Sequence, residues 1–422
     1  MSQNLNVSLI NIDDKKLSIP VEKSQQQFWG ALFVVAGTTI GAGMLALPMS
    51  VASLGILGGS LLLSALWGVM YLSATIALDL NIHAKIGSSI AKLSNDNLGK
   101  AAGLIGAATL VLMLNALLVA YTSGASSLIK TIVDTYTNIS ISQPMTMTIF
   151  TIAMAALVCI DMKILDTGNR IFFAIMMFVF LAMMAVLFGK IQISKPMLGI
   201  QEPGVSPWLI AVPLFFTSFG FHGSIPSLVN YCESRSNIIK SAFFWGSFVP
   251  LLIYLIWIIG GLSIVYTYDH AVFTKLVNNE ADLGVFILSL SNTIDTPWLQ
   301  SFSWIFSLLA IITSFLGVAI GLFDYYREQL TQVKEKHQRI VSCVFALGVP
   351  LLVTLLAKET FMHVLGFAGI FLSILAVVLP CIIWLKLQHN PKFSTQINPV
   401  LVKVLLTIGI IVICCEVYNI CF

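Results

Sequence analysis

The chain has 422 residues, 58% hydrophobic and only 10% charged, where a soluble domain carries about 25% charged residues. Too few polar groups are available to cover its surface, so that surface faces lipid. A formal net charge of +3, with no basic patch interleaved with aromatics, gives no case for nucleic acid as a partner.

Residues 1–28 are polar and read as a tail rather than a cleavable leader, so the first apolar run acts as the insertion signal. A spanning helix needs about 20 mostly apolar residues. Eleven runs qualify: 29–53, 57–80, 100–130, 145–162, 170–189, 207–231, 240–266, 297–324, 339–357, 363–385 and 400–421. The connections are short except at 81–99, 190–206, 267–296 and 325–338. With the N-terminus inside, seventeen of the 22 Lys and Arg residues fall on the cytoplasmic side and five outside, as the positive-inside rule expects. The C-terminus is then outside.

The first run contains GTTIGAG, Gly37 to Gly43. Glycine costs about 1 kcal/mol relative to alanine in a helix interior, so this is a poor helix centre. Alone, the Gly37/Gly41 spacing reads as close helix packing, as does Gly317/Gly321. No strand precedes it and no Lys follows it, which sets aside a phosphate loop. The sixth run repeats the oddity: LFFTSFGFHGSIPSL places Gly220, His222, Gly223, Ser224 and Pro226 near mid-span. Proline removes a backbone donor, and lipid cannot satisfy freed backbone groups, so such backbone must line a protein cavity.

Interruptions in runs one and six divide residues 29–386 into two halves of five helices, 29–189 and 207–386, with 387–422 as a linker and extra helix. An odd number per half makes the halves inverted. The predicted fold is therefore an all-α integral membrane protein with eleven transmembrane helices, a 5+5 inverted repeat and broken first and sixth helices. Paired broken helices in inverted repeats point to a secondary transporter's binding site.

At such a site the half-helix beginning at Gly41, Ala42, Gly43 and Met44 aims backbone N–H groups and a positive dipole end at a carboxylate. Carbonyls near Ala36, Gly37 and Phe219 suit an ammonium. Thr38 and Thr39 add hydroxyls beside Ile40, and Thr217, Ser218, Gly220 and Gly223 form the second break. Phe219 and Phe221, or Phe367 and Phe371 in the tenth run, supply walls for an aromatic side chain, and Asn115 and Tyr121 can bond a polar tip. His222 is the one ionisable side chain near a span centre. Three readings stay open for it: proton coupling, substrate contact, or a neutral ring bonded to a freed carbonyl. Thr313 and Ser314 in the eighth run either hold a small cation beside the break or bond back to their own helix. Asp79, Asp161, Asp324 and Glu416 lie near run ends and read as interfacial. The seven cysteines lack paired CxxC spacing and read as small hydrophobes. No nucleophilic triad, catalytic carboxylate pair or metal cluster is visible, so neither an enzyme, a metal nor a cofactor is expected beyond a coupling ion. A channel would need a continuous polar stripe, and a receptor a large soluble domain.

VAGTTIGAGMLALP, FTSFGFHGSIPSLV, SFLGVAIGLFDYY and the late HNP resemble the hydroxy/aromatic amino acid permease family of bacteria, within the amino acid–polyamine–organocation superfamily. The resemblance runs from about Trp29 to the last span. It implies eleven spans, the LeuT-like five-plus-five fold, and proton-coupled uptake of an aromatic amino acid across the inner membrane. Tyrosine leads as substrate, with a tryptophan or broad aromatic permease and a sodium symporter as alternatives. Some superfamily members hold sodium between the first and eighth helices, where Thr313 and Ser314 look like the hydroxyl pair. The implied partners are a small amino acid and the lipid bilayer, with no nucleic acid and no protein.

Overall fold

The computed structural model describes residues 21–137, 139–158, 162–293, 297–330, 335–357, 360–390, 393, 395 and 397–421. Asp161, Cys159 and most of the polar tail lie outside them. The described residues form helices joined by short turns. The first apolar run is two helices: α1 (Val21–Thr39) stops, Ile40–Ala42 is not helical, and α2 (Gly43–His83) begins. Within α2, Gly55 takes φ 71° and ψ 161°, which bends the chain from the first run into the second. There follow α3 (Ile90–Leu98), α4 (Lys100–Tyr136), α5 (Gln143–Val158), α6 (Met162–Phe188) and the short α7 (Lys195–Leu198). The sixth run is α8 (Ser206–Thr217), a non-helical stretch, one tight turn at His222–Ser224, and α9 (Ile225–Tyr231). Next come α10 (Ser236–Tyr268), α11 (His270–Val277), α12 (Leu283–Asn292) and α13 (Pro297–Gln329). The ninth run is α14 (Glu335–Cys343) and α15 (Val349–Ala357); the tenth is α16 (Phe361–Ser373) and α17 (Leu379–Leu387). The chain closes with α18 (Pro399–Cys421).

Among the described residues nine helices, counted through their turns, are long and apolar enough to cross a membrane. The expected eleven differs for two reasons. α1 opens with the polar VEKSQQQ and shares its run with α2, and α5 has only 16 residues. Large apolar side chains nonetheless point outward all round, with Leu356 81%, Phe188 76% and Leu61 72% exposed. Each would lose about 1.5–3 kcal/mol of burial in water. Lipid removes that cost.

α10 lies against α1 and α2, and buries Tyr254 and Trp257 completely. α4 is shared between α13 and α16. Polar buried atoms make the ties: Trp67 Nε1 on α2 donates to Ser247 Oγ on α10 at 3.0 Å. The ninth and tenth runs each contain a wide π turn, at Val344–Gly348 and Ile374–Val378. Such turns strand a carbonyl; the Ala376 carbonyl accepts from Ser73 Oγ of α2.

The expected tail boundary at residue 28 moves, because α1 begins at Val21. Lys23 Nζ reaches Glu233 Oε1 at 2.6 Å, Arg235 Nη2 reaches Glu233 Oε2 at 2.7 Å, and Gln27 Nε2 donates to the Tyr231 carbonyl at 3.0 Å. The polar start of α1 is thus pinned beside the end of α9. Hydrogen bonds from Lys23, then Arg235, hold the Glu233 carboxyl below the usual carboxylate range. A lowered pKa means the bridge is present at neutral pH and lost as pH falls through that lowered value.

Gly55 offers a test of the bend. A Cβ there would sit 2.0 Å from the Gly199 carbonyl oxygen, on backbone already at positive φ. Ser53 O, accepting from Gln201 N at 2.9 Å, holds that loop in place. Gly55→Ala is expected to cost about 1–3 kcal/mol and to lower the melting midpoint of the detergent-solubilised protein. Gly68→Ala, in open space within α2, is expected to leave it unchanged or raise it slightly. Equal midpoints for the two variants would contradict the bend's role.

Candidate functional site

The first interruption falls within GTTIGAG, at Ile40–Ala42. Ile40 N still donates to Ala36 O at 2.8 Å, so the Ala36 carbonyl is taken. The helix then fails. Ala42 N–H turns away to Ser314 Oγ on α13 at 2.8 Å, and Gly41 N–H makes no backbone bond. The carbonyls of Gly37 and Thr38, which a continued helix would pair with those two amides, lose their partners. Met44 N bonds to Gly41 O at 3.1 Å. Among the described residues this leaves the Gly41 and Gly43 amides free at the positive end of α2. Gly41 is required by contact as well: a Cβ there would lie 2.2 Å from Ser314 Oγ.

The second interruption faces the first. The Tyr254 hydroxyl on α10 lies 2.6 Å from Thr39 O and 3.1 Å from Ser218 O, and so donates toward both broken ends at once. Trp257 Nε1 donates to Met44 O at 2.9 Å. The expected free carbonyl at Phe219 is occupied, because Phe221 N closes a tight turn onto it at 3.0 Å.

Between the breaks lies a cavity of about 120 Å³. Its wall takes Thr38, Thr39, Gly41, Ala42 and Gly43 from the first break, and Thr217, Ser218 and Gly220 from the second. Tyr121 and Ser314 complete the polar side. The remainder is apolar: Met113 and Leu117 of α4, Val318 of α13, Leu365 and Leu372 of α16. No charged side chain lines it. Thr38, Thr39, Thr217 and Ser218 each donate their hydroxyl to a carbonyl of their own helix, at 2.8–3.1 Å. Their lone pairs remain to accept. The wall therefore offers amide donors at one place and hydroxyl and carbonyl acceptors elsewhere.

Several expected residues stand elsewhere. Phe219 and Phe221 turn into the core, their rings tilted against Tyr254 and Phe243 at 5.5 Å each. Phe367 is 38% exposed and pairs with Phe371 on the outside of α16. Asn115 donates to Val111 O at 2.8 Å on its own helix, away from the cavity. Ile40, Gly37 and Gly223 also lie off its wall. His222 does not reach it. Both His222 ring nitrogens are buried without a partner among the described residues, so neither substrate contact nor a bond to a freed carbonyl is seen. Thr313 Oγ1 bonds back to Leu309 O at 2.8 Å, so of the hydroxyl pair only Ser314 faces the break. Asp79 is a tie between helices, accepting from Trp384 Nε1 at 2.9 Å. Glu416 is buried at 4% exposure rather than interfacial. Tyr254 and Trp257 carry no sequence signal that singles them out from other buried aromatics.

Comparison with known proteins agrees with this geometry. Residues 24–416 match the tryptophan/tyrosine permease family. Tyrosine-specific transport system 1 of Haemophilus influenzae is 30% identical over 361 residues, covering 84% of this chain and 87% of that protein. Glutamine transporter 2 of Aliivibrio fischeri is 28% identical over 375 residues, covering 88% and 92%. The fold is similar to the inward-facing conformation of Mhp1, with a TM-score of 0.56 at 13% identity over 93% of this chain and 90% of that one. At that identity the likeness speaks to the fold alone, which is LeuT-type. With the family match spanning both interruptions and the cavity between them, the chain belongs to the tryptophan/tyrosine permease family, as a multi-pass membrane transporter of amino acids and not an enzyme.

Proposed function

We propose that this permease imports an aromatic amino acid, tyrosine first, across a bacterial inner membrane by proton symport with alternating access. One observation carries the reading: two helix breaks present unpaired amides and acceptors to one uncharged cavity. A zwitterion supplies both charges itself. Its carboxylate meets the Gly41 and Gly43 amides, and its ammonium meets the Thr38 carbonyl with the hydroxyls of Thr217 and Ser218. Tyr121 sits where a phenol's hydroxyl would need a partner, against the apolar wall of Met113, Leu117 and Leu365. A tryptophan permease is the alternative, because that aliphatic wall accepts an indole as readily.

We count eleven spans, adding α1 with its continuation into α2, and α5, to the nine. The five-plus-five inverted repeat takes 29–189 and 207–386, with 387–422 outside it, and the N-terminus is cytoplasmic and the C-terminus periplasmic. Proton coupling is preferred to sodium because Thr313 bonds to its own helix and Ser314 Oγ is engaged by the Ala42 amide. His222 is the proton carrier within the breaks, and no cofactor is needed.

Counterflow of labelled tyrosine in proteoliposomes tests the substrate. Phenylalanine and tryptophan are expected to compete, and serine and glutamine to compete weakly; no competition by any aromatic amino acid would sink the reading. Imposed proton and sodium gradients then separate the coupling ions, with accumulation expected from the proton gradient alone. A His222→Gln protein that keeps full concentrative uptake removes His222 from the coupling path.

The Gly41 contact gives a sharper test. Gly41→Ala is expected to lower uptake at least tenfold, by forcing Ser314 off the Ala42 amide. Gly37→Ala meets nothing within 4 Å and is expected to change uptake less than about threefold, at the scale of a simple glycine-to-alanine exchange. In a Ser314→Ala background the Gly41→Ala penalty is expected to shrink, a coupling that a double-mutant cycle reads directly.

A further inference from the structure

We infer that Glu416 is a second protonation site of the transport cycle, reached from water through His363; this rests on the proton-symport reading above. Glu416 lies in α18, among helices that face lipid, and is 4% exposed. It points inward to the junction of α18, α16 and α8. The absence of a side chain at Gly366 of α16 makes its room: a Cβ there would lie 2.9 Å from Glu416 Oε2. Asn419 Nδ2 donates to Glu416 Oε2 at 3.3 Å and to the Leu209 carbonyl of α8 at 3.0 Å. An acidic side chain buried inside a membrane span and held by one long amide bond is a functional candidate by default.

The same helix that makes room for the carboxyl also reaches a second cavity. His363, one turn before Gly366 on α16, is exposed, and Gly366 is the residue that abuts Glu416. The same His363 lines a second cavity of about 140 Å³, together with Ser123, Gln143, Asp282 and Thr360. The titratable groups near Glu416 are thus His363 on α16 and Cys415 and Tyr418 on α18 itself, with Asp282 lining the same cavity as His363. α8 contributes none. A proton passes from hydronium in the cavity to the His363 imidazole and on to the Glu416 carboxylate, leaving water behind; no other bond changes. By contrast, His222 lines neither of these two cavities.

Loading this site bears on the substrate cavity because α8 and α16 both wall it. α16 carries Leu365 and Leu372, and α8 ends at Thr217. At Gly369 the two helices touch backbone to backbone, where a Cβ would be 2.8 Å from Pro213 O. A neutral carboxyl lets Asn419 hold α18, α16 and α8 as one block. An ionised carboxylate draws water and loosens that block.

The test uses the full chain in proteoliposomes, with labelled tyrosine, and compares Glu416→Gln, Glu416→Asp and His363→Gln. Glu416→Gln is expected to keep counterflow within twofold while losing at least tenfold in accumulation driven by a pH gradient. Glu416→Asp is expected to restore part of that accumulation, and His363→Gln to slow it several-fold. Undiminished accumulation by Glu416→Gln overturns the assignment. If Glu416→Gln loses counterflow as well, Glu416→Asp decides: pH-driven accumulation in it supports the site, and its absence marks a structural residue and overturns the proposal. An unaltered chain that shows counterflow but no response to a pH gradient fails the symport reading itself, and the assignment with it.

Discussion

Backbone that unwinds at membrane depth must find its hydrogen bonds inside the protein, and a single hydroxyl carries much of that burden here. Tyr254 stands between Thr39 O and Ser218 O, so the end of α1 and the end of α8 are held by one atom of α10. Leaving either carbonyl buried and unpaired would cost about 1–3 kcal/mol. Trp257, one turn along α10, takes the Met44 carbonyl on the far side of the first break. Ser314 takes the Ala42 amide from the opposite direction. The groups that stay free are those these three side chains leave over: the Gly41 and Gly43 amides and the Gly37 and Thr38 carbonyls. The chemistry of the cavity is therefore set by distant helices as much as by the glycines.

That division explains what was legible in the sequence. The interruptions were legible because glycine clusters and proline act locally on the helix that contains them, and their pairing at runs one and six was a matter of counting. The exact exposed groups were not. Whether the Ala36 or the Thr38 carbonyl is freed depends on where Ser314, some 270 positions away, pulls an amide aside. Phe219 and Phe221 flank the break in sequence, yet a tight turn sends both rings toward α10. Tyr121 was visible as a polar ring in an apolar run, whereas Asn115 looked equivalent and merely bonds its own helix. The π turns at 344–348 and 374–378 have no composition signal, since their partners, such as Ser73, lie on other helices.

Small residues have a second use that is separate from unwinding. Gly366, Gly369 and Gly220 allow α16 to approach α8 and α18 with little side chain between them: a Cβ at Gly220 would lie 3.2 Å from Leu372 and one at Gly366 2.9 Å from Glu416. Interfaces of this kind slide without long side chains having to change rotamer. The fixed contacts lie elsewhere, at α10 with α1 and α2, where Tyr254, Trp257 and the Trp67–Ser247 bond lock aromatic bulk. The molecule thus has a rigid seam on one side of the cavity and a smooth seam on the other, and relative movement is cheapest along the smooth one.

Recognition at the breaks and recognition of the side chain are then separable. Backbone amides and carbonyls read the carboxylate and ammonium that every amino acid carries, and they discriminate nothing beyond that pair. Discrimination falls to Met113, Leu117, Val318, Leu365 and Leu372, with Tyr121 as the polar point among them. Apolar walls separate ligands weakly, by about 1–3 kcal/mol per methylene-sized difference, whereas a buried hydroxyl that must be matched separates them far more strongly. Tyr121 lines the same cavity as Ser314, which holds the Ala42 amide. The polar point that reads the side chain and the hydroxyl that shapes the first break thus share one wall, so both ends of the same molecule are read there together.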